Sequence, residues 1–107
     1  MQKVTILCVG KLKEKFYIDA AAEYVKRLSA YCRLTLVELP EEKLPQAPSQ
    51  GQIDQALARE AAAIRAKLPP SSLLAALCVE GRMRSSEELA GLFTDWMNRG
   101  ESHLVFL

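Results

Sequence analysis

Two short segments carry the residue types best suited to chemistry. In Gly10-Lys11-Leu12-Lys13-Glu14-Lys15 a glycine precedes three lysines at every second position. Glycine lets the backbone turn, and lysines neutralise phosphates. The segment lacks the Gly-Lys-Ser/Thr ending of a phosphate-cradling loop and the further glycines of a dinucleotide fingerprint. It reads as a general contact for a polyanion, or as a solvated loop. The second segment is Glu80-Gly81-Arg82-Met83-Arg84-Ser85-Ser86-Glu87. Its glycine directly follows an apolar run, where a ligand can approach the backbone closely. The helix start just beyond offers N–H groups to an anion, and Glu87 and Glu88 complement the helix dipole there. An ordinary strand-to-helix turn is the competing reading.

Other reactive residues are few. His103 is the only histidine, with no nucleophile or ligand partner near it in sequence, and reads as structural or solvated. Cys8, Cys32 and Cys78 are odd in number and far apart, unlike a disulfide framework or a zinc site. They are expected to be buried, reduced thiols. No motif for nucleophilic catalysis, metal hydrolysis or phosphoryl transfer is present. Hence no catalytic residue and no metal ligand are assigned.

The elements that must position these segments follow from hydrophobic periodicity. Lys3–Val9 is a mostly apolar run closed by glycine, a buried strand. From Phe16 to Tyr31, Tyr17, Ala20, Ala21, Tyr24, Val25 and Leu28 recur at helical spacing. Arg33–Leu39 is a second strand, stopped by Pro40. Residues 40–48 hold three prolines and form an acidic loop without evident chemistry. Ser49 and Gln52 make a capping box for a helix through Ile53, Leu57, Ala61, Ile64 and Leu68, ended by Pro69-Pro70. Leu73–Val79 is apolar throughout, as in a strand covered on both faces. Ser85 and Glu88 form a second capping box. Leu89, Leu92, Phe93, Trp96 and Met97 then make a core-facing stripe, and Gly100 stands just past the helix end. A fourth strand starts at Leu104–Leu107.

Strand and helix alternate, β-α-β-α-β-α-β, which implies an α/β fold: a doubly wound, mainly parallel sheet with helices on both faces. In such sheets ligands bind beyond the carboxyl ends of the strands, where both glycine-containing segments fall.

Composition sets outer bounds. The 107 residues are half hydrophobic and one quarter charged, ordinary for a single globular domain. No apolar run approaches the ~20 residues of a membrane span. The N-terminus has too short an apolar stretch for a signal peptide. With the cysteine pattern, that points to the cytoplasm. Net charge is only +1, but residues 1–33 carry seven basic against three acidic side chains. A local basic face can meet a polyanion while the whole stays near neutral; a solvated helix face is the alternative. The run Leu104–Leu107 is apolar, with no polar tail after it. The expectation is one incomplete α/β domain, residues 1–107, with further chain beyond it.

Three stretches together resemble a known family. They are Ile6-Leu7-Cys8-Val9-Gly10-Lys11-Leu12-Lys13-Glu14-Lys15-Phe16, the Glu23-Tyr24-x-Lys26-Arg27-Leu28 segment, and Glu80-Gly81-Arg82-Met83-x-Ser85-Ser86-Glu87. They look like the ribosomal RNA large subunit methyltransferase H family, SPOUT-class enzymes that methylate N3 of a pseudouridine in 23S rRNA. The resemblance covers the whole chain. It implies S-adenosylmethionine as cofactor, the assembled ribosome as substrate, and a homodimer. It also implies a C-terminal trefoil knot that would begin after Leu107, with the main cofactor loops beyond it. Residues 1–107 alone would then be inactive or bind cofactor poorly. By position the family places Leu77, four residues before the loop glycine, along the adenosylmethionine pocket. Gly81 at the same strand end is a second candidate, and core leucine and turn glycine are the competing readings. Lys11, Lys13 and Lys15 match the basic opening loop and are expected to face RNA phosphates, an inference from charge rather than a family contact. No general base for the N3 proton stands out.

Two other readings remain open at this point. One is a short, non-catalytic α/β module that binds a partner through strand and helix edges. The other is a flavodoxin-like nucleotide binder, against which the missing phosphate-cradling loop after Val9 counts.

Overall fold

The computed structural model describes residues 2–107. Seven elements alternate along the chain: β1 (Lys3–Val9), α1 (Lys15–Leu28), β2 (Arg33–Leu39), α2 (Gln50–Lys67), β3 (Leu73–Ala75), α3 (Ser86–Asn98) and β4 (His103–Phe106). Every strand pair is parallel, and the sheet runs β2-β1-β4-β3. The α/β alternation expected from the periodicity is therefore what the chain forms. β4 lies inside the sheet, with Ile6 opposite Phe106 on one side and Ala75 opposite Phe106 on the other.

Crossover direction decides which face each helix covers. The β1-to-β2 and β3-to-β4 steps run one way across the sheet, and the long β2-to-β3 step runs the other. Right-handed connections then put α1 and α3 on one face and α2 on the opposite one. Side-chain packing agrees. Leu7, Leu39 and Val105 form a buried cluster against Ala63, Ile64 and Leu68 of the α2 side. On the other face the Phe93 ring of α3 stacks on Phe106, centroids 5.7 Å apart. Leu7, Leu104 and Val105 are each only 1% exposed, so the centre of the sheet is the driest part of the chain.

Both capping boxes form as their spacing predicts. Ser49 Oγ accepts from the Gln52 N–H at 3.2 Å, and Gln52 Oε1 accepts from the Ser49 N–H at 2.9 Å. Ser85 and Glu88 repeat the exchange at 3.1 Å in each direction. Each box satisfies two backbone donors that a helix start would otherwise leave open.

Four expectations need correction. α1 ends at Leu28, not Tyr31. Ser29 Oγ donates to the Lys26 carbonyl at 2.6 Å, and the Ser29 N–H is shared between Val25 and Lys26. A serine that bonds its own preceding turn tightens and ends a helix. β3 spans three residues rather than seven. Its last bond to β4 is from the Leu77 N–H to the Leu107 carbonyl at 2.7 Å, and the backbone then turns, with the Gly81 N–H on the Cys78 carbonyl. Leu77 and Val79 are consequently exposed instead of covered on both faces. The cysteines are free thiols but not buried: Cys8 and Cys78 are exposed and Cys32 is half-buried. Cys78 lies on the turn after β3, and Cys8 lies on the sheet face that the helices leave open.

The fourth correction concerns that open face. α1 and α3 bury none of their residues fully. Tyr24 is 63% exposed and Met97 59%, although both sit on apolar stripes expected to be core. Trp96 is half-buried in an aromatic group with Phe93 and Phe106, at centroid separations of 5.6 and 6.3 Å. The radius of gyration is 16.0 Å, against about 13 Å for a close-packed chain of this length. α1 and α3 flank the sheet without closing over it.

Candidate functional site

Because all strands are parallel, the loops after β1, β2 and β3 emerge at one edge of the sheet. The β1–α1 loop is shaped by Gly10, whose φ of 99° is a left-handed conformation suited to glycine. Its N–H donates to the Leu39 carbonyl at 2.7 Å. Two residues on, the Leu12 N–H donates to Glu38 Oε2 at 3.2 Å. The basic loop is thereby pinned to the end of β2 through its backbone, which leaves the lysine side chains outward. Lys11, Lys13 and Lys15 are all exposed. Lys15 pairs with Asp19 at 3.2 Å, both side chains largely in solvent. Among the described residues, no carboxylate lies within 4.0 Å of the Lys11 or Lys13 ammonium.

The β3–α3 loop brings Leu77 and Gly81 together. They line one cavity of about 370 Å³ with Ala76, Cys78, Val79 and Arg82. The Cys78–Gly81 turn makes this hollow, because the Gly81 N–H folds back on the Cys78 carbonyl at 3.0 Å. A methyl group at position 81 would stand 3.0 Å from that same carbonyl oxygen. The turn therefore favours glycine by crowding rather than by φ. Leu77 is 77% exposed, so it is a wall residue and not a core leucine.

The start of α3 is less open to an anion than its position alone implies. Ser85 and Glu88 cap each other, Glu87 and Glu88 occupy the first turn, and Arg84 stands 3.9 Å from Glu88. The positive end of the helix already faces its own carboxylates.

A second hollow escaped the sequence reading. It is an apolar groove of about 500 Å³ on the open sheet face, bounded by Val4, Ile6, Leu28, Phe93 and Met97, and Leu77 borders it too. Its residues belong to the stripes assigned to the core, since periodicity reports an apolar face and not what covers it. Arg82 and Cys78 were likewise not singled out as cavity residues; adjacency to Gly81 was the available signal.

One candidate falls away from this edge. His103 lies at the amino end of β4, where its Nε2 is 2.9 Å from the Thr5 hydroxyl. That pairing satisfies buried Thr5 and fits the structural role expected of this histidine. Cys8, near the site, is held as a thiol: partial burial, and then the Glu38 carboxylate, push its pKa up. That is the reverse of what an activated nucleophile needs. Among the described residues, no group of three or more His, Cys, Asp or Glu side chains is placed to hold a metal. Nor is any helix long and apolar enough to cross a membrane.

A family profile described as a predicted SPOUT methyltransferase matches residues 2–107. The chain is 42% identical over 104 residues to the ribosomal RNA large subunit methyltransferase H of Listeria monocytogenes serovar 1/2a. The same protein of two serotype 4b strains, CLIP80459 and F2365, matches equally. Each alignment covers 97% of this chain and 65% of the relative. The chain therefore spans a little under two thirds of the length of these relatives.

Proposed function

Because this chain belongs to the SPOUT methyltransferase family, we propose that the protein carrying it methylates large-subunit ribosomal RNA with S-adenosylmethionine as donor. The proposed target is N3 of a pseudouridine in 23S rRNA. The proposed setting is the cytoplasm, with the assembled ribosome as substrate and a homodimer as the working form. The observation that carries this reading is the hollow at the carboxyl end of β3. There Leu77 offers an exposed apolar wall beside a backbone turn that is crowded against a side chain at Gly81.

The donor set suits the cofactor. Leu77 and Val79 are apolar and exposed, fit to cover a purine face, and the crowded Gly81 turn leaves backbone at the surface. Bound there, adenosylmethionine supplies an electrophilic methyl group. This chain's own residues orient and shield: Leu77 excludes water from one side, and the Gly81 turn fixes the approach of the backbone. Lys11 and Lys13, held outward by the Gly10 and Glu38 anchors, meet RNA phosphates. Transfer to a ring nitrogen requires alignment of donor and acceptor and loss of the N3 proton. No residue of this chain is assigned to take that proton. We place the principal cofactor loops beyond residue 107, so residues 1–107 alone bind the cofactor weakly and do not turn over.

The test is transfer of a labelled methyl group from S-adenosylmethionine to ribosomes by the full-length protein. Label is expected in 23S rRNA at one pseudouridine. Label in another RNA, or none in any RNA, refutes the assignment.

A further inference from the structure

Glu38 grips the lysine loop by its backbone. Between Gly10 and α1 the chain runs through Lys11, Leu12 and Lys13. Two bonds to β2 bracket the first lysine: the Gly10 N–H donates to the Leu39 carbonyl at 2.7 Å, and the Leu12 N–H donates to Glu38 Oε2 at 3.2 Å. Leu12 stands between the two lysines, so fixing its planar peptide group fixes the stem from which both project. The helix beyond does little of this work, because Glu14 at the N-cap of α1 makes no side-chain cap. The Cys8 thiol, opposite Glu38 in the β1–β2 register, is pushed up by burial and then by Glu38, the mark of a carboxylate turned towards β1. Yet no carboxylate lies within 4.0 Å of the Lys11 or Lys13 ammonium among the described residues. Glu38 thus holds the loop without neutralising it, on the β2 side of β1 and away from β4.

We propose that Glu38 is a positioning residue for RNA binding: its carboxylate, through the Leu12 N–H, sets the loop conformation in which Lys11 and Lys13 meet phosphates together. The inference rests on the RNA-methyltransferase reading and deepens its RNA contact. Lysine is a point charge on a flexible four-carbon stem, so its phosphate contact is only as ordered as the backbone beneath it. A free loop loses backbone freedom when it binds, whereas a loop already held loses little. Two effects of Glu38 on RNA therefore oppose each other. Its negative charge repels phosphates, an effect that salt screens at an exposed position. Its acceptor oxygen orders the lysines. Glutamine in its place keeps an acceptor and drops the charge, and alanine drops both. The two substitutions separate ordering from charge.

The experiment measures the affinity of the full-length protein for purified ribosomes at one fixed salt concentration. Glu38→Ala is expected to weaken binding several-fold, and Glu38→Gln to leave it no weaker than in the unaltered protein. Added to the Lys11→Gln/Lys13→Gln pair, Glu38→Ala is expected to cost less than about twofold more, because residues acting through one contact are not additive. Urea unfolding midpoints should stay alike throughout, since Glu38, Lys11 and Lys13 are all exposed. Equal or tighter binding in both Glu38 variants overturns the proposal, because charge alone then accounts for the residue. So does a loss in Glu38→Ala that persists undiminished once the lysines are gone. Unchanged affinity in the lysine pair overturns it too, since there is then no contact for Glu38 to position. The expected pattern in a full-length protein that transfers no methyl group to ribosomes sinks the methyltransferase reading and leaves the role of Glu38 standing.

Discussion

The carbonyl oxygen of Cys78 is both the acceptor for the Gly81 N–H, at 3.0 Å, and the atom that any side chain at position 81 would strike first, also at 3.0 Å. One oxygen therefore closes the turn and crowds any side chain placed there. Gly81→Ala must push backbone aside by a few tenths of an ångström, at a cost of about 1 kcal/mol. S-adenosylmethionine affinity of the full-length protein is expected to fall several-fold by calorimetry, while the far-ultraviolet circular dichroism stays the same. Undiminished affinity removes Gly81 from the cofactor site.

Leu7, inside β1, and Leu77, just past β3, have opposite roles, and truncation separates them. Leu7 is 1% exposed and belongs to the central cluster. Leu7→Ala is expected to destabilise the protein by about 2–5 kcal/mol in urea unfolding. Leu77 is 77% exposed, and Leu77→Ala is expected to shift stability by at most ~0.5 kcal/mol and yet weaken cofactor binding. A large stability loss at Leu77 makes it a packing residue after all.

The Ser85 box offers a purely local check on α3. Ser85→Ala removes the hydroxyl that takes the Glu88 N–H and is expected to cost about 1 kcal/mol. Thermal unfolding reads the loss. Ser85→Asp, which restores an acceptor, should recover most of it, and failure to recover would point to a role for Ser85 beyond capping.

Cys8 is expected to react slowly. Its pKa is raised by burial and by Glu38, so the thiolate is scarce near neutrality. Iodoacetamide should modify it more slowly than a peptide cysteine, with a midpoint displaced to higher pH. Glu38→Gln should move that midpoint down, part of the way only, since the carboxylate is the smaller cause. The sign for stability follows from the same shift. Any contribution from the neutral thiol is present below the unfolded-state pKa and is lost as pH rises through the folded-state value. A midpoint unmoved by Glu38→Gln excludes the electrostatic cause.

Local signals were the ones the sequence expressed most directly. The two Ser-x-x-Gln/Glu spacings became the capping boxes at Ser49 and Ser85, and Gly10 and Gly100 took the positive φ values that end β1 and follow α3. The alternation of periods was enough for the parallel sheet. Burial was less legible. The apolar run Leu73–Val79 reads as a fully covered strand, yet past Leu77 it pairs with no strand among the described residues and bends at Cys78. Tyr24 and Met97 sit at core spacing but face the open groove, because spacing says which way a residue points and not whether anything stands opposite. In the candidate site, Gly81 and the lysines could be picked out by residue type.

The place of β4 between β1 and β3 governs the order in which this sheet can assemble. Among the described residues, β3 pairs with no strand other than β4. The β1–β4 ladder joins Lys3 to His103 and Ile6 to Phe106, a closure spanning almost the whole chain. During synthesis β1 and β2 can pair early, while β3 waits for β4 to emerge and slot in between it and β1. Folding governed by so distant a pairing is slow, and a nascent chain with an uncapped apolar strand is prone to wrong partners. The strand order thus favours late pairing of β3, after residues 103–106 have cleared the ribosome.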